Sequence, residues 1–431
     1  MNDATIQEIQ LKNTLEFAQQ LDEQDELAHF RKKFHIPQHL GKDKIYFDGN
    51  SLGLQPIKTI DLINDELKAW AGKAGDAHFH AKWPWYSYHE IFPQQLSKLV
   101  GCLPEEVVVM NSLSVNLHLM LVSFYRPTSR RYKIICEYKA FPSDQYVFES
   151  QVKYNGYDPA DAIVEVKPRA GEHSIHHEDI IQAIKEHGDS IALVMFSGVN
   201  YYTGQVFNMP AITEMAHKVG ALAGFDLAHA VGNIELNMHG WKVDFACWCT
   251  YKYLNSGPGS VGGAYIHEKH ASNKNLPRFA GWWGYDKRTR FEMKKGFDPM
   301  PTAEGWQLSN APVLSMAAHK AALDIFEEAG LDRLIKKGQA LSDFLIFILE
   351  KVNRNVDNNS IEIITPKKEK GCQVSFIVKN KGKELYDHLM DNGVAIGWRE
   401  PAVIRATPVP LYNTFEEVFR FGQLIQAKLS T

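Results

Sequence analysis

The chain is poor in cysteine, has no strong excess of either charge and contains no long apolar run. Five cysteines among 431 residues are too few, and odd in number, for a disulfide framework, so we expect a reducing, cytoplasmic location. A formal net charge of −4 gives no basis for binding nucleic acid or an anionic membrane. No apolar run approaches the roughly 18–20 residues of a membrane span, and the N-terminus lacks the basic and apolar segments of a secretory signal.

The composition is that of a globular enzyme, with 45% hydrophobic and 23% charged residues and no internal repeat. At this length we expect two or three domains. Buried strands are predicted where short apolar runs alternate with helical periodicity, at residues 107–109, 133–136, 162–166, 191–196, 221–226, 245–248 and 264–266. This alternation predicts an α/β fold, in which a mostly parallel sheet lies between helices on both faces.

The character of the chain changes after Ala311. A long helical region over residues 315–349 precedes shorter strands near residues 361–364, 373–377 and 403–406. This order predicts a smaller α+β module, and we expect the N-terminal segment to pack with it. We therefore predict an N-terminal segment over residues 1–75, a large domain over residues 76–310 and a small domain over residues 311–431.

The most informative stretch lies between Gly224 and Gly263. Asp226 ends a predicted strand and His229 follows three residues later, at the edge where open α/β sheets bind ligands. Further on, Lys252 stands between two tyrosines. Burial favours the neutral form of an amine, and a neutral amine forms a Schiff base with an aldehyde. The pair predicts a pyridoxal 5′-phosphate site in which Asp226 holds the pyridinium nitrogen; a strand-end cap and a solvent-facing lysine are the alternatives.

Other turns offer groups that suit this cofactor. Residues 111–116 form a strand-to-helix turn, and a helix N-terminus binds phosphate through its N–H groups; ordinary N-capping is the alternative. Phe141 follows another predicted strand, where its ring stacks on a flat cofactor or is simply buried in a turn. Arg405, in the last predicted strand, has the fork that clamps an α-carboxylate, with a surface ion pair as the alternative.

Three patterns suggest sites that we do not expect. Residues 257–262 match the glycine fingerprint of dinucleotide-binding loops, but a strand rather than a helix follows them. Cys247 and Cys249 lack zinc spacing and a second pair, so we interpret them as apolar strand residues. Surface or loop positions are expected for the histidines of two clusters, His78 with His80, and His173 with His176 and His177. No metal is expected, although aromatic residues crowd His78 and His80.

Together these residues resemble the kynureninase family over essentially the whole chain. The motifs that carry the resemblance are FDGNSLG at residues 47–53, FPSD at 141–144, FSGV at 196–199, residues 224–233 and 244–255, GWWG at 281–284, residues 309–310 and PVPLY at 408–412. The resemblance implies fold type I of the pyridoxal-phosphate enzymes and a homodimer. It implies hydrolysis of L-kynurenine or its 3-hydroxy form to anthranilate or 3-hydroxyanthranilate and L-alanine, in tryptophan degradation or NAD biosynthesis.

The resemblance also implies a role for individual residues. Lys252 is the Schiff-base lysine, Asp226 is the partner of the ring nitrogen, and Tyr251 is a hypothetical proton carrier. The implied cofactor contacts are Leu113, Ser114, Phe141, Ser143, Asp144, Ser197, Asp226, His229, Tyr251, Lys252, Trp282 and Asn310, of which Trp282 and Asn310 come from the second subunit. The implied substrate contacts are Arg405 and one of His78 and His80.

Two other functions stay open. A cysteine desulfurase or selenocysteine lyase of the same superfamily needs a reactive cysteine in a C-terminal loop, whereas Cys372 opens a predicted strand. A non-catalytic regulatory protein that binds pyridoxal phosphate needs an accompanying module, such as a DNA-binding domain, that this chain lacks. The choice between kynurenine and its 3-hydroxy form is not decided, because a few pocket contacts determine it.

Overall fold

The computed structural model describes residues 10–356 and 360–430. None of the helices in this part of the chain is long and apolar enough to cross a membrane. The α-helices are α1 (Leu15–Glu23), α2 (Thr59–Lys73), α3 (Ala77–His80), α4 (Pro93–Val100), α5 (Leu113–Phe124), α6 (Pro142–Tyr154), α7 (Pro159–Ala162), α8 (His177–His187), α9 (Met209–Lys218), α10 (Glu268–Ala271), α11 (Val313–Ala329), α12 (Leu331–Val356), α13 (Gly382–Asp391) and α14 (Phe415–Leu429).

The strands divide into a large sheet, a smaller sheet and two short pairs. In chain order they are β1 (Gln38–His39), β2 (Lys42–Asp43), β3 (Ile45–Tyr46), β4 (Val107–Val109), β5 (Lys133–Glu137), β6 (Ile163–Val166), β7 (Ile191–Ser197), β8 (Leu222–Asp226), β9 (Phe245–Trp248), β10 (Gly263–Ile266), β11 (Ile361–Ile363), β12 (Val374–Val378), β13 (Val394–Ala395), β14 (Gly397–Arg399) and β15 (Val403–Ala406).

The large sheet has seven strands in the order β4-β10-β9-β8-β7-β5-β6. Strand β10 pairs antiparallel with both β4 and β9, whereas the strands from β9 to β6 are parallel neighbours. Because two antiparallel steps restore the direction, β4 runs the same way as β9. The predicted α/β fold with a mixed, mostly parallel sheet is confirmed.

Strand β7 shows why these sequences form a central sheet. Its first six residues are all buried and apolar, as expected where helices cover both faces. Val194 and Phe196 point into one core with α9 and α11, while Leu193 and Met195 join the core beneath α5 and α6. The alternation of side chains along the strand thus feeds two separate hydrophobic layers.

The smaller sheet is antiparallel, in the order β11-β12-β15-β14. Its core contains aromatic residues from α1, α12, β12 and α14, namely Phe17, Phe344, Phe376 and Phe421. The N-terminal segment joins this unit through α1 and through β3, which pairs in parallel with β13. The smaller sheet therefore gathers both ends of the chain, and its strand β15 carries Arg405.

The structure corrects two sequence-based expectations and adds helices that were not predicted, among them α6 and α14. The helical region over residues 315–349 is two helices, because Gly330, with φ of +78°, ends α11. His78 and His80, expected at surface or loop positions, lie in the single helical turn α3. Helices α6 and α14 were not predicted, although Thr414 and Glu417 form a capping box before α14 that the sequence displays.

The amino edge of the large sheet holds a buried carboxylate, Asp244. It accepts hydrogen bonds from the Ala223 N–H at 2.7 Å, His217 Nε2 at 2.8 Å and His270 Nε2 at 2.7 Å, and Lys269 Nζ lies 2.7 Å away. Burial opposes ionisation, but these partners outweigh it and hold the pKa of Asp244 below its usual range. Its partners tie α9, α10 and β8 to the start of β9, which is a structural role.

Candidate active site

A cavity of about 190 Å³ lies at the carboxyl edge of the large sheet. The ends of β4, β5, β7, β8 and β9 meet there, which is the ligand-binding edge of open α/β sheets. The lining residues are Ser112, Leu113, Ser114, Phe141, Ser143, Asp144, Ser197, Val199, Tyr201, Asp226, Ala228, His229, Tyr251 and Lys252. All of the cofactor residues predicted from the sequence are among them, except Trp282 and Asn310.

Lys252 lies in the loop after β9 and is only 8% exposed. Its Nζ is 3.1 Å from His229 Nε2 and 5.6 Å from the centroid of the Phe141 ring. Burial and the nearby Lys252 charge lower the pKa of His229 well below its usual range, so this imidazole is neutral and accepts from the amine. His229 Nδ1 is buried without a hydrogen-bond partner. The lysine amine is therefore held at the cavity by a neutral group and not by a carboxylate.

Asp226, at the end of β8, is 5% exposed and accepts the Ala228 N–H at 2.7 Å. Burial raises its pKa, while the Lys252 charge and a hydrogen bond from Asp144 oppose that shift. Burial and the charges of Asp226 and Glu137 raise the pKa of Asp144 well above its usual range. Asp144 therefore keeps its proton and donates a hydrogen bond through it to Asp226, so that the negative charge of this pair resides on Asp226.

The N-terminus of α5 faces the cavity through Ser112, Leu113 and Ser114. The Ser112 side chain precedes the helix but makes no capping hydrogen bond, although serine is a favoured cap. The N–H groups of the first turn thus lack that side-chain acceptor. They form, with the positive end of the helix dipole, a suitable site for a phosphate group.

Tyr251 lines the cavity next to Lys252. Burial is the main cause that raises the pKa of its hydroxyl, and a hydrogen bond with the Cys249 thiol adds to the shift. The hydroxyl therefore keeps its proton at neutral pH and is able to donate a hydrogen bond. Cys249 itself is 4% exposed but follows the end of β9, whereas Cys247 is buried within β9; only Cys247 is a strand residue, although both were expected to be.

Arg405 approaches the cavity from β15 of the smaller sheet and is 1% exposed. Its guanidinium donates to the Tyr201 carbonyl at 2.9 Å and to Ser51 Oγ at 3.1 Å, and its Nε is buried without a partner. Burial and the positive charge of Arg399 lower the pKa of Arg405 to about 10. A buried cation with neutral acceptors and an unused donor is suited to binding an anionic group that enters from the cavity.

Besides Arg405, four of the predicted site residues do not line this cavity. Trp282 is 44% exposed, and Asn310 is exposed beside a separate cavity that Asn111 and Gly259 also line. His78 Nδ1 lies 3.0 Å from the Gly75 carbonyl oxygen, and His80 is exposed.

The structure adds lining residues that sequence reasoning missed, chiefly Val199 and Tyr201. The Tyr201 ring packs edge-on against Phe141 with centroids 5.0 Å apart, and its carbonyl binds Arg405. Both residues follow β7, so their position after a strand end was an available signal. Nothing in their residue types distinguishes them from ordinary loop residues.

Two clusters outside the cavity combine histidine with carboxylates in the described residues. Glu106 accepts the N–H groups of Leu103 and Glu268 at 2.9 and 2.8 Å. His267 Nδ1, near Glu106, accepts the Lys269 N–H at 3.2 Å. The second cluster, His89 with Glu90 and Glu304, includes Lys287 Nζ 2.9 Å from Glu90. Protein donors thus already use the groups that a metal would need.

Sequence comparison places the chain among known proteins. Kynureninase of Flavobacterium psychrophilum is 56% identical over 417 residues, which cover 96% of this chain and 98% of that protein. The chain belongs to the kynureninase family. Kynureninase of Flavobacterium johnsoniae is 53% identical with the same coverage of both chains. A family model described as the kynureninase C-terminal domain matches residues 334–425, a range that includes Arg405.

Solved structures support the fold of this kynureninase-family chain. An apo cysteine desulfurase from Thermococcus onnurineus superimposes with a TM-score of 0.76 at 18% identity, covering 93% of this chain and 97% of that one. C-DES with glycine covalently linked to its PLP cofactor gives a TM-score of 0.74 at 16% identity, with coverages of 89% and 96%. At this identity the likeness shows the shared fold alone.

Cys372 tests the alternative of a desulfurase. It is 2% exposed, its Sγ lies 3.2 Å from Asn233 Oδ1, and burial raises the pKa of its thiol to about 12. A reactive cysteine needs an exposed site that favours the thiolate. Cys372 lies two residues before β12 and does not open it, contrary to the expectation from the sequence, but it is a buried thiol.

Proposed function

We propose that the protein hydrolyses L-kynurenine, its 3-hydroxy form or both, to the corresponding anthranilate and L-alanine, with pyridoxal 5′-phosphate as cofactor. One observation carries the proposal: Lys252, Asp226 and the uncapped start of α5 line a single cavity in a chain of the kynureninase family.

The cavity fits the cofactor by the chemistry of its donors. The start of α5, with Ser114, would hold the phosphate, Phe141 would cover the ring and Asp226 would hold the ring nitrogen. Trp282 and Asn310 would complete the phosphate site from a second subunit. When bound to Lys252, pyridoxal phosphate supplies an electron sink for substrate carbanions. The unpartnered Nδ1 of His229 gives the site a further polar group.

The chain's own residues then bind the substrate and move protons. Arg405 holds the α-carboxylate, and one of His78 and His80 contacts the substrate. Lys252 Nζ takes the proton from the α-carbon and returns a proton to that carbon before alanine leaves. Water then cleaves the Cβ–Cγ bond. Its hydroxyl joins Cγ, which becomes the carboxylate carbon of anthranilate, and a proton joins Cβ. Tyr251, which keeps its proton at neutral pH, donates that proton and so forms the methyl group of alanine.

The proposed function is tested by product analysis of the purified protein loaded with cofactor. L-kynurenine and 3-hydroxy-L-kynurenine should give anthranilates and alanine in equal amounts, and kcat/KM for the two substrates gives the preference. L-cysteine and L-selenocysteine are the discriminating substrates. Release of sulfide or selenide without cleavage of either kynurenine would replace this function with that of a desulfurase or lyase, and cofactor binding with no turnover would favour a regulatory protein.

Arg405→Lys should raise KM for kynurenine and leave the absorbance of the bound cofactor unchanged, because lysine offers a point charge in place of a bidentate fork. Loss of one such contact costs roughly 2–4 kcal/mol, or about thirty- to several-hundred-fold in kcat/KM. Arg399→Lys, on the neighbouring strand β14, is the matched control and should change kcat/KM much less. If the two variants exchange these results, Arg399 binds the carboxylate.

We propose further that the protein is a homodimer with shared sites. Phe79, Trp282 and Phe291 are 55%, 44% and 54% exposed and lie in contact, with the Phe291 centroid 6.5 Å from Phe79 and 5.7 Å from Trp282. An exposed aromatic cluster of this kind is typical of an interface. It lies beside the residues that are implied to act on the second subunit's cofactor.

Co-expression tests the shared sites. Lys252→Ala and a Trp282→Ala/Asn310→Ala double variant should each be nearly inactive, whereas their mixed dimers hold one intact site. Random pairing should then restore about a quarter of the activity of the unaltered protein. Lys252→Ala with Asp226→Asn is the control, since both defects lie in the same chain's cavity and every mixed site stays defective. Equal recovery in both mixtures, or a monomer in sedimentation, would contradict the proposal.

We also propose the domain boundaries predicted at residues 75 and 310 and a cytoplasmic location. Five free cysteines, four of them buried, support a reducing compartment. The pathway, tryptophan degradation or NAD biosynthesis, follows from the reaction and depends on the substrate preference measured above.

A further inference from the structure

Glu137 is a fully enclosed carboxyl group that the proposed reaction does not use. It ends β5, is 2% exposed and does not line the cavity. Its partner is Ser197, at the end of β7, which does line it. Ser197 Oγ donates to Glu137 Oε1 at 2.5 Å, and the Ser197 N–H lies 3.1 Å from Oε1 and 3.2 Å from Oε2. Three contacts thus join one buried carboxyl group to one residue of the cavity wall.

These contacts fix which way the Ser197 hydroxyl points. Its hydrogen is directed away from the cavity and towards Glu137, so its oxygen is left as a hydrogen-bond acceptor on the cavity side. In the sheet, Ser197 is the register partner of Asp226. The wall therefore offers two acceptors side by side, one on β7 and one on β8.

The alternative is that Glu137 merely links two strands. Glutamine has nearly the same shape, but an amide nitrogen in place of either oxygen would face the Ser197 N–H, donor against donor. At the Oε1 position the amide nitrogen would also face the Ser197 hydroxyl, which would then turn to accept from it and direct its hydrogen into the cavity. A carboxylate, although costly to bury, accepts through both oxygens and so leaves the Ser197 oxygen as the acceptor on the cavity side in either orientation of the group. Burial raises the pKa of Glu137 to about 7, and the Ser197 hydrogen bonds oppose this shift.

We propose that Glu137 is a positioning residue, which holds the Ser197 oxygen as an acceptor beside Asp226 for a hydrogen-bond donor of the bound cofactor. The inference rests on the proposed function only as far as pyridoxal phosphate binds in this cavity. It assigns to Glu137 an action through Ser197 and no contact with the substrate.

The test is a double-mutant cycle on cofactor binding, measured on apoprotein without substrate. Glu137→Gln and Ser197→Ala should each weaken the affinity for pyridoxal phosphate by about ten- to a hundredfold, because each removes a hydrogen bond near a charged group. Each should also shift the absorbance band of the bound cofactor. The double variant should lose no more than Ser197→Ala alone, because Glu137 acts through that hydroxyl.

Glu165→Gln is the matched control, since Glu165 is an exposed glutamate on the neighbouring strand β6 that accepts the Lys139 N–H at 3.2 Å. It should leave affinity and absorbance unchanged. A merely structural role for Glu137 predicts a lower unfolding temperature with an unchanged absorbance band, and additive losses in the double variant; either result overturns the proposal. If Glu137→Gln does not fold, unchanged cofactor affinity and absorbance in Ser197→Ala overturn it alone. Kynurenine cleavage by the unaltered protein is scored separately, so failure of the proposed function is recognised independently.

Discussion

Lys252→Ala is expected to abolish cleavage of kynurenine and to leave pyridoxal phosphate bound only by non-covalent contacts. No other amine lines the cavity in the described part of the chain, so the variant loses both the covalent anchor and the group that takes the α-proton. Single-turnover mixing with a large excess of enzyme measures the residual rate. Borohydride reduction of the unaltered protein, followed by peptide mapping, should place the label on Lys252.

Lys133→Ala is a suitable control for this change. Lys133 also lies near an aromatic ring, with its Nζ 6.0 Å from the Tyr132 centroid, but it begins β5 at the opposite edge of the sheet. Its removal should change neither turnover nor the labelled peptide. A borohydride label on any other lysine would show that Lys252 is not the anchor and would remove the basis of the proposed mechanism.

Asp226→Asn is expected to lower kcat by about 10²- to 10³-fold while the protein stays folded. Asparagine keeps the size of the side chain but loses the charge that Asp226 offers to the ring nitrogen, and its amide would also disturb the hydrogen bond from Asp144. Cofactor absorbance and kcat should therefore change together, while KM changes much less. Steady-state kinetics and a cofactor titration measure the three quantities.

Asp244→Asn is the control that shows whether the loss of a buried carboxylate elsewhere in the fold has the same effect as Asp226→Asn. Asp244 is 0% exposed and lies at the amino edge, remote from the cavity lining, so its replacement should reduce the stability of the fold and leave the absorbance of the bound cofactor unaltered. Near-normal turnover in Asp226→Asn would mean that Asp226 only caps the end of its strand.

Local patterns were enough to predict the parts of the site that stand at strand ends. Asp226, Lys252 and the turn before α5 each follow a short apolar run, and a parallel sheet brings such ends to one edge. Ser143, Ser197 and Trp282 entered through the family resemblance, since their residue types alone carry no specific chemistry. Arg405 was predicted from its place in the last strand, but its burial is a feature that no local pattern displays.

Features that depend on contacts between distant segments could not be predicted. The position of β10 between β4 and β9 is a matter of register and strand order, which short-range periodicity does not encode. Glu137 shows the same limit: on the chain it is an ordinary charge after an apolar strand, and only pairing with β7 encloses it. Gly330 divides α11 from α12. The glycine is a helix-ending signal in the sequence, but the helical periodicity on both sides of it favoured a single helix.

The placement of β10 also sets the time at which the protein can first hold its cofactor during synthesis. Strand β4, which leads into the phosphate turn, has β10 as its partner in the sheet, so the edge of β4 that faces β10 stays unpaired until residue 266 has left the ribosome. Arg405 and the strand that bears it emerge later still. Nascent chains that stop before β10 thus expose an open strand edge, a hazard for aggregation, and stalled or truncated products should depend on chaperones far more than chains released only a little later.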